Sequence, residues 1–275
     1  MPTTTSDYIR LTQVLITIAE ANKASDVAPR MADAESLAVK FGAHCISVQY
    51  LSRGTRLPEL RADFVDPASV NVVVRAAVES VLTFYYLYTA PTSDDERGLR
   101  HDSWVLADLM ARQEFRPMSE ENRQKLANER AQIERLQARL RANPAFSALT
   151  LKQQRGILEE QRWKLSGWGR IGRDMGLDSN HSEIFYSYLC SHSHSGYLSV
   201  LQVQQARTVE DQRTLIAGSI GALTVAIAHM IRLFAGIFPL AAEALRNVPN
   251  AEPLIQQWIM IGASTDEPNS SPEAA

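Results

Sequence analysis

Apolar side chains recur at three- and four-residue intervals along almost the whole chain, the signature of amphipathic helices packed face to face. From Asp7 onward, Ile9, Val14, Leu15, Ile16 and Ile18 form such a stripe, and Ser6 is placed to cap its first turn. A second stripe of Met31, Leu37, Ala38, Phe41, Cys45, Val48 and Leu51 predicts a helix from about Arg30 to Leu51, with Cys45 on its buried face and Gly54 as its stop. The stretch from Gly54 to Val65, with Arg53, Arg56 and Arg61 in or beside it, reads as a solvated loop. Asp66-Pro67 then opens a helix to about Tyr88 that is apolar on nearly every side, as expected of a helix at the centre of a bundle. Two charges interrupt it. Arg75 and Glu79 lie four residues apart, so they share a face and can pair.

Ala90-Pro91 ends that helix, and Ser93-x-x-Glu96 is a capping box for the next, which runs to about Glu114. Ser119 starts another helix, in which Leu126, Ile133 and Leu140 form a narrow seam between charged flanks and Glu129 interrupts the pattern. Asn143-Pro144 breaks it, and Thr150-x-x-Gln153 restarts a helix through Ile157, Leu158 and Leu165. These two segments predict a projecting antiparallel helical hairpin, inserted at about 117–166. Gly167, Gly169, Gly172 and Gly176 mark a connector or a short, interrupted helix. Asn180-x-x-Glu183 can cap the segment that follows, and Thr208-x-x-Asp211 opens the last long helix, which Pro239 breaks. Leu254 to Met260 adds a short helix, and the Pro-, Ser- and Glu-rich residues 265–275 read as a disordered tail. No strand pattern stands out. The fold class is all-α: one helical bundle over residues 1–264 carrying the hairpin.

Composition changes this picture little. With 275 residues, 45% hydrophobic, 21% charged and a net charge of -3, the chain has an ordinary soluble profile and no global attraction to nucleic acid or anionic membrane. Cys45 and Cys190 match no zinc or redox spacing and read as reduced thiols of a cytoplasmic protein. The apolar run between Arg213 and Arg232 contains His229 and many small residues, so it reads as a core helix, with no membrane partner expected. The last long helix and the hairpin each offer a face for a homodimer, and the hairpin arginines offer contacts for RNA.

The densest chemistry lies between Tyr186 and Tyr197, where three Tyr, two His and Cys190 crowd together. On a helix, Tyr186, Cys190 and His194 align on one face, and Tyr188, His192 and Ser195 on its neighbour. His192 and His194 then diverge by about 200°, which does not suit a shared metal, so neither metal nor cofactor is expected. His194 is the candidate acid–base residue, with Arg75, Glu79 and Tyr186 as its companions across two packed helices.

Val74-Arg75-Ala76-Ala77-Val78-Glu79-Ser80 resembles the Arg-x-x-x-Glu helix of a bacterial family of helical proteins of unknown function. Tyr186-x-x-Leu189-Cys190-x-x-x-His194 resembles its Tyr-x-x-Leu-Ser-x-x-x-His helix, with Cys190 where serine is usual. The likeness spans about residues 30–235 and extends distantly to HEPN-type domains, some of which are ribonucleases of bacterial conflict systems. The Arg-x4–6-His signature of that class is absent here. Together these features describe a helical protein whose polar core cluster is structural or binds a ligand, with a role in stress response or phage defence by analogy. The alternatives are a ribonuclease using His194 as acid–base and a metal-dependent hydrolase using His192 and His194.

Overall fold

The computed structural model describes residues 4–23, 28–178 and 181–263. It is helical almost throughout and divides into two compact units, Met1–Tyr85 with Trp168–Ala275, and Tyr86–Gly167.

In the first unit α1 (Thr4–Asn22) packs against α2 (Pro29–Ser52) and against the long α11 (Val209–Ile237). Helix α1 begins at Thr4, so Ser6 lies inside its first turn instead of capping it. Gly54 to Val65 forms more than a loop. Strands β1 (Thr55–Leu57) and β2 (Ala62–Phe64) pair antiparallel around a single turn of 3-10 helix, with Arg56 opposite Asp63. Three-residue strands are too short to leave an alternating pattern in the sequence.

Helix α3 (Pro67–Phe84) is the inner helix of this unit. Asp66 caps it by accepting from the amides of Ala68 and Ser69. Val70, Val74, Ala77 and Val81 are buried, and the helix contacts α2, α11 and α9 (Tyr186–Ser193). The chain does not continue as α-helix to Tyr88: from Tyr85 to Thr89 it widens into a π-helical turn. Two contacts anchor α1, one to α2 and one to α13 (Ala251–Gly262) near the other end of the unit. Tyr8 donates to the Cys45 carbonyl at 2.5 Å, and the Trp258 indole donates to Asp7 at 3.1 Å. Helices α8 (Trp168–Asp174), α10 (Tyr197–Gln205), α12 (Pro239–Arg246) and α13 (Ala251–Gly262) complete the unit. The Asn180 cap and the 265–275 tail lie outside the described residues.

In the second unit α4 (Asp94–Arg112) and α5 (Glu120–Ala142) run antiparallel. Arg112 meets Glu129 at 2.8 Å near one end, and Arg139 grips Asp102 through two hydrogen bonds of 2.9 and 3.0 Å near the other. Glu129, the residue that breaks the apolar seam, therefore has a cation waiting for it. The short α6 (Pro144–Ser147) and α7 (Leu151–Glu159) turn back onto this pair, and Phe146 and Ile157 join Leu99, Leu106, Leu136 and Leu140 in one apolar cluster. Helix α5 thus has α4 as its long antiparallel neighbour, and the Thr150–Gln153 capping box starts α7 as anticipated.

The segments Pro67–Thr89 and Val209–Ile237 are long and apolar enough to cross a membrane by length and composition, and both are largely buried by neighbouring helices. Within α11, His229 is 6% exposed, and burial, reinforced by Arg232, lowers its pKa to about 4. An unfolded histidine takes up its proton near pH 6.5, whereas this one resists until about 4. Its stabilising contribution is therefore complete above pH 6.5 and lost as the pH falls through 4, on the order of 3 kcal/mol in all. Urea unfolding at pH 7 and pH 5 is expected to show a smaller acid loss in His229→Leu than in wild type. Equal losses would mean that this imidazole does not titrate in the core.

Candidate functional site

Helix α3 carries a polar stripe at intervals of four: Asn71, Arg75 and Glu79. Successive members are one turn apart, about 6 Å along the axis, so they form a ladder on one face. Helix α9 lies against that ladder. A π-helical turn, His181–Phe185, leads into it and brings Tyr186 over Arg75 and Glu79.

The contacts at Tyr186 are specific. Its hydroxyl donates to Glu79 Oε1 at 2.5 Å and accepts from Arg75 Nη2 at 3.3 Å. Arg75 Nη2 also pairs with Glu79 Oε1 at 2.9 Å, and the guanidinium lies 5.7 Å from the Tyr186 ring centre. The Arg75 and Glu79 side chains retain only 24% and 30% exposure, so the pair is partly desolvated and its hydrogen bonds matter more than those of a surface pair. Burial, then the hydrogen bond to Glu79, raises the pKa of Tyr186, with Arg75 opposing. The phenol therefore stays protonated and keeps its role as donor. Arg75 is held more firmly in its charged form by Tyr186, against a smaller effect of burial.

One turn away on the ladder, Asn71 donates to the Tyr188 hydroxyl at 3.3 Å and accepts from the Ser219 hydroxyl of α11. Tyr188 meets His192 edge to face, with ring centres 4.9 Å apart. His192 is 6% exposed, and burial lowers its pKa while Gln202 and Asp66 act in the opposite sense. Neither of its ring nitrogens meets a partner at hydrogen-bonding geometry.

Beside Tyr186 lies a cavity of about 360 Å³ that opens to solvent. Its walls come from α3 (Val78, Val81, Leu82), from α11 (Gly221, Ala222, Val225) and from the end of α13 (Trp258, Ile261, Gly262). Trp168, Met175, Phe185 and the ring of Tyr186 close the remaining side.

The structure thus joins three of the four residues marked in the sequence, Arg75, Glu79 and Tyr186, by direct contacts, and His194 shares none of those contacts. Helix α9 ends at Ser193, His194 is its exposed C-cap, and no hydrogen bond or ion pair among the described residues links it to the trio. The reason is local. Ser195 takes a left-handed conformation (φ 52°), and the Gly196 amide folds back onto the Ser191 carbonyl at 2.7 Å. A Cβ on Gly196 would lie 2.5 Å from Ser191 Oγ, so a larger residue there would have to push the serine hydroxyl aside. Cys190 is partly buried, and its sulfur is close enough to influence Arg75 electrostatically. No group of three or more His, Cys, Asp or Glu among the described residues is placed to hold a metal, so the pairing of His192 with His194 gains no third ligand. In the sequence His192 is marked only as a metal-ligand candidate, and Asn71 and the cavity are additions of the structure. Asn71 was detectable as a third polar position, four before Arg75, on an otherwise apolar helix.

Removing the Tyr186 hydroxyl costs about 1.5–3 kcal/mol, the value of a hydrogen bond to a charged group. Glu79→Ala costs about 2–3 kcal/mol, because it also leaves Arg75 without its anion. Urea denaturation of Tyr186→Phe and Glu79→Ala checks both, and unchanged midpoints would mean that the trio is not formed in solution.

Residues 45–211 match the model of DUF5677, a family of unknown function, and the segment includes both α3 and α9. No curated protein and no solved structure matches the chain. With the match covering more than half of its length and carrying the whole polar ladder, the chain belongs to DUF5677, a family of unknown function.

Proposed function

We propose that this protein binds a small molecule at Tyr186, with the ring of that residue forming part of the cavity wall and its hydroxyl held by Glu79 and Arg75. The observation that carries the reading is this shared residue. A side chain fixed by two hydrogen bonds at one end and exposed to an open apolar cavity at the other is pre-organised for recognition, because little rotamer freedom remains to be lost on binding. A cavity of this size beside convergent polar groups is the usual form of a small-molecule site. A role in bacterial stress response or phage defence extends this reading by analogy with the helical families the chain resembles.

The ribonuclease alternative needs an acid–base histidine beside a phosphate-holding arginine. His194 lies exposed at the end of α9, and no hydrogen bond or ion pair among the described residues joins it to Arg75. The purified protein is therefore expected to leave single-stranded RNA intact, and cleavage that disappears in a folded His194→Ala variant would replace the binding reading with the nuclease one.

A thermal-shift screen with a metabolite library tests the binding reading itself. At least one compound is expected to raise the melting temperature of wild type and to lose that effect in Tyr186→Ala. A screen without any shift, or with shifts that persist in the variant, would overturn it.

A further inference from the structure

We infer that the cavity beside Tyr186 takes an uncharged, mainly apolar molecule with a planar ring; this rests on the small-molecule reading above and narrows it to a ligand class. The lining carries the first part of the case. Among the described residues, no Asp, Glu, Lys, Arg or His lines the cavity. A charged ligand would leave its hydration shell without meeting a counter-charge, which is strongly unfavourable. The polar edge does not change this. Arg75 and Glu79 neutralise each other at 2.9 Å, and the Tyr186 phenol beside them is uncharged.

Shape carries the second part. Trp168, Phe185, Tyr186 and Trp258 present aromatic surface to one space, an arrangement that suits an inserted ring. Opposite them, Gly221 sits half-buried in the wall, with Gly218 exposed at the rim. Glycine is among the least favourable residues in a helix interior, and close packing against another element usually explains its presence. Here that explanation fails, since a Cβ built on either residue meets no atom within 4 Å. These positions leave volume open instead of letting a neighbour approach. The chain's own C-terminal residues 264–275 follow Gly262 at the cavity's edge, but they include no aromatic or long aliphatic side chain suited to fill it.

The test uses the full chain and two fluorescent probes of similar size, neutral N-phenyl-1-naphthylamine and anionic 1-anilinonaphthalene-8-sulfonate. The neutral probe is expected to bind saturably at one site, about tenfold more tightly than the anionic one. Gly221→Leu is expected to weaken neutral-probe binding by about tenfold or more, as filling a pocket of this size does. Gly221→Ala, a milder change that the fold tolerates easily, is expected to weaken binding by a smaller factor and to raise the melting temperature, because alanine is the better helix former.

Tighter binding of the anionic probe would overturn the ligand class while leaving the small-molecule reading to the library screen. Saturable binding of neither probe would overturn the inference in the same limited way. A Gly221→Ala variant that melts lower would show that the glycine serves packing, and an affinity that falls as protein concentration rises would assign the cavity to a second copy of the chain. Either result would overturn the inference.

Discussion

Two opposite charges on an inner helix constrain everything around them. Helix α3 is covered by α2, α9 and α11, yet it carries Arg75 and Glu79 in its middle. Each charge is partly desolvated there, and each is matched to the other and to Tyr186. These contacts tie α9 to the middle of α3. The site is thus a consequence of how α3 is made tolerable inside the unit. The same contact holds the Tyr186 ring at the cavity wall.

The two polar clusters on the ladder differ in charge, and each keeps buried nitrogen without a hydrogen-bond partner: Arg75 Nε in the first and both ring nitrogens of His192 in the second. Around Tyr186, donors and acceptors converge on a neutral sum. Around His192, burial keeps the imidazole uncharged and without a hydrogen-bond partner at good geometry, beneath an α10 whose side chains are mostly exposed. An unsatisfied buried imidazole is a cost to stability. The first cluster therefore pairs opposite charges around a phenol, whereas the second holds a neutral ring.

Much of this was legible from residue patterns because it rests on local rules. The caps at Asp66, Ser93, Ser119, Thr150 and Thr208 all appear where the sequence places them, since each is set by a side chain and an amide two or three residues away. The reach from Arg75 to Glu79 is a property of helical spacing. Tyr186 was identifiable as their partner through its motif. The end of α9 was less legible: a uniform helical reading runs past Ser193, where Ser195 and Gly196 turn the chain and His194 becomes the exposed C-cap. The cavity was invisible for a different reason: it is formed by what α3, α11 and α13 leave unfilled, and no single segment records that volume.

The central claim is that the trio and the cavity form one ligand site through Tyr186. The most direct measurement is a crystal structure of the protein soaked with N-phenyl-1-naphthylamine. The account expects electron density for the probe between the Tyr186 ring and the Gly221 face of α11, with the Arg75–Glu79–Tyr186 contacts intact. Density seated elsewhere on the protein, or a cavity filled by the protein's own side chains, would contradict it.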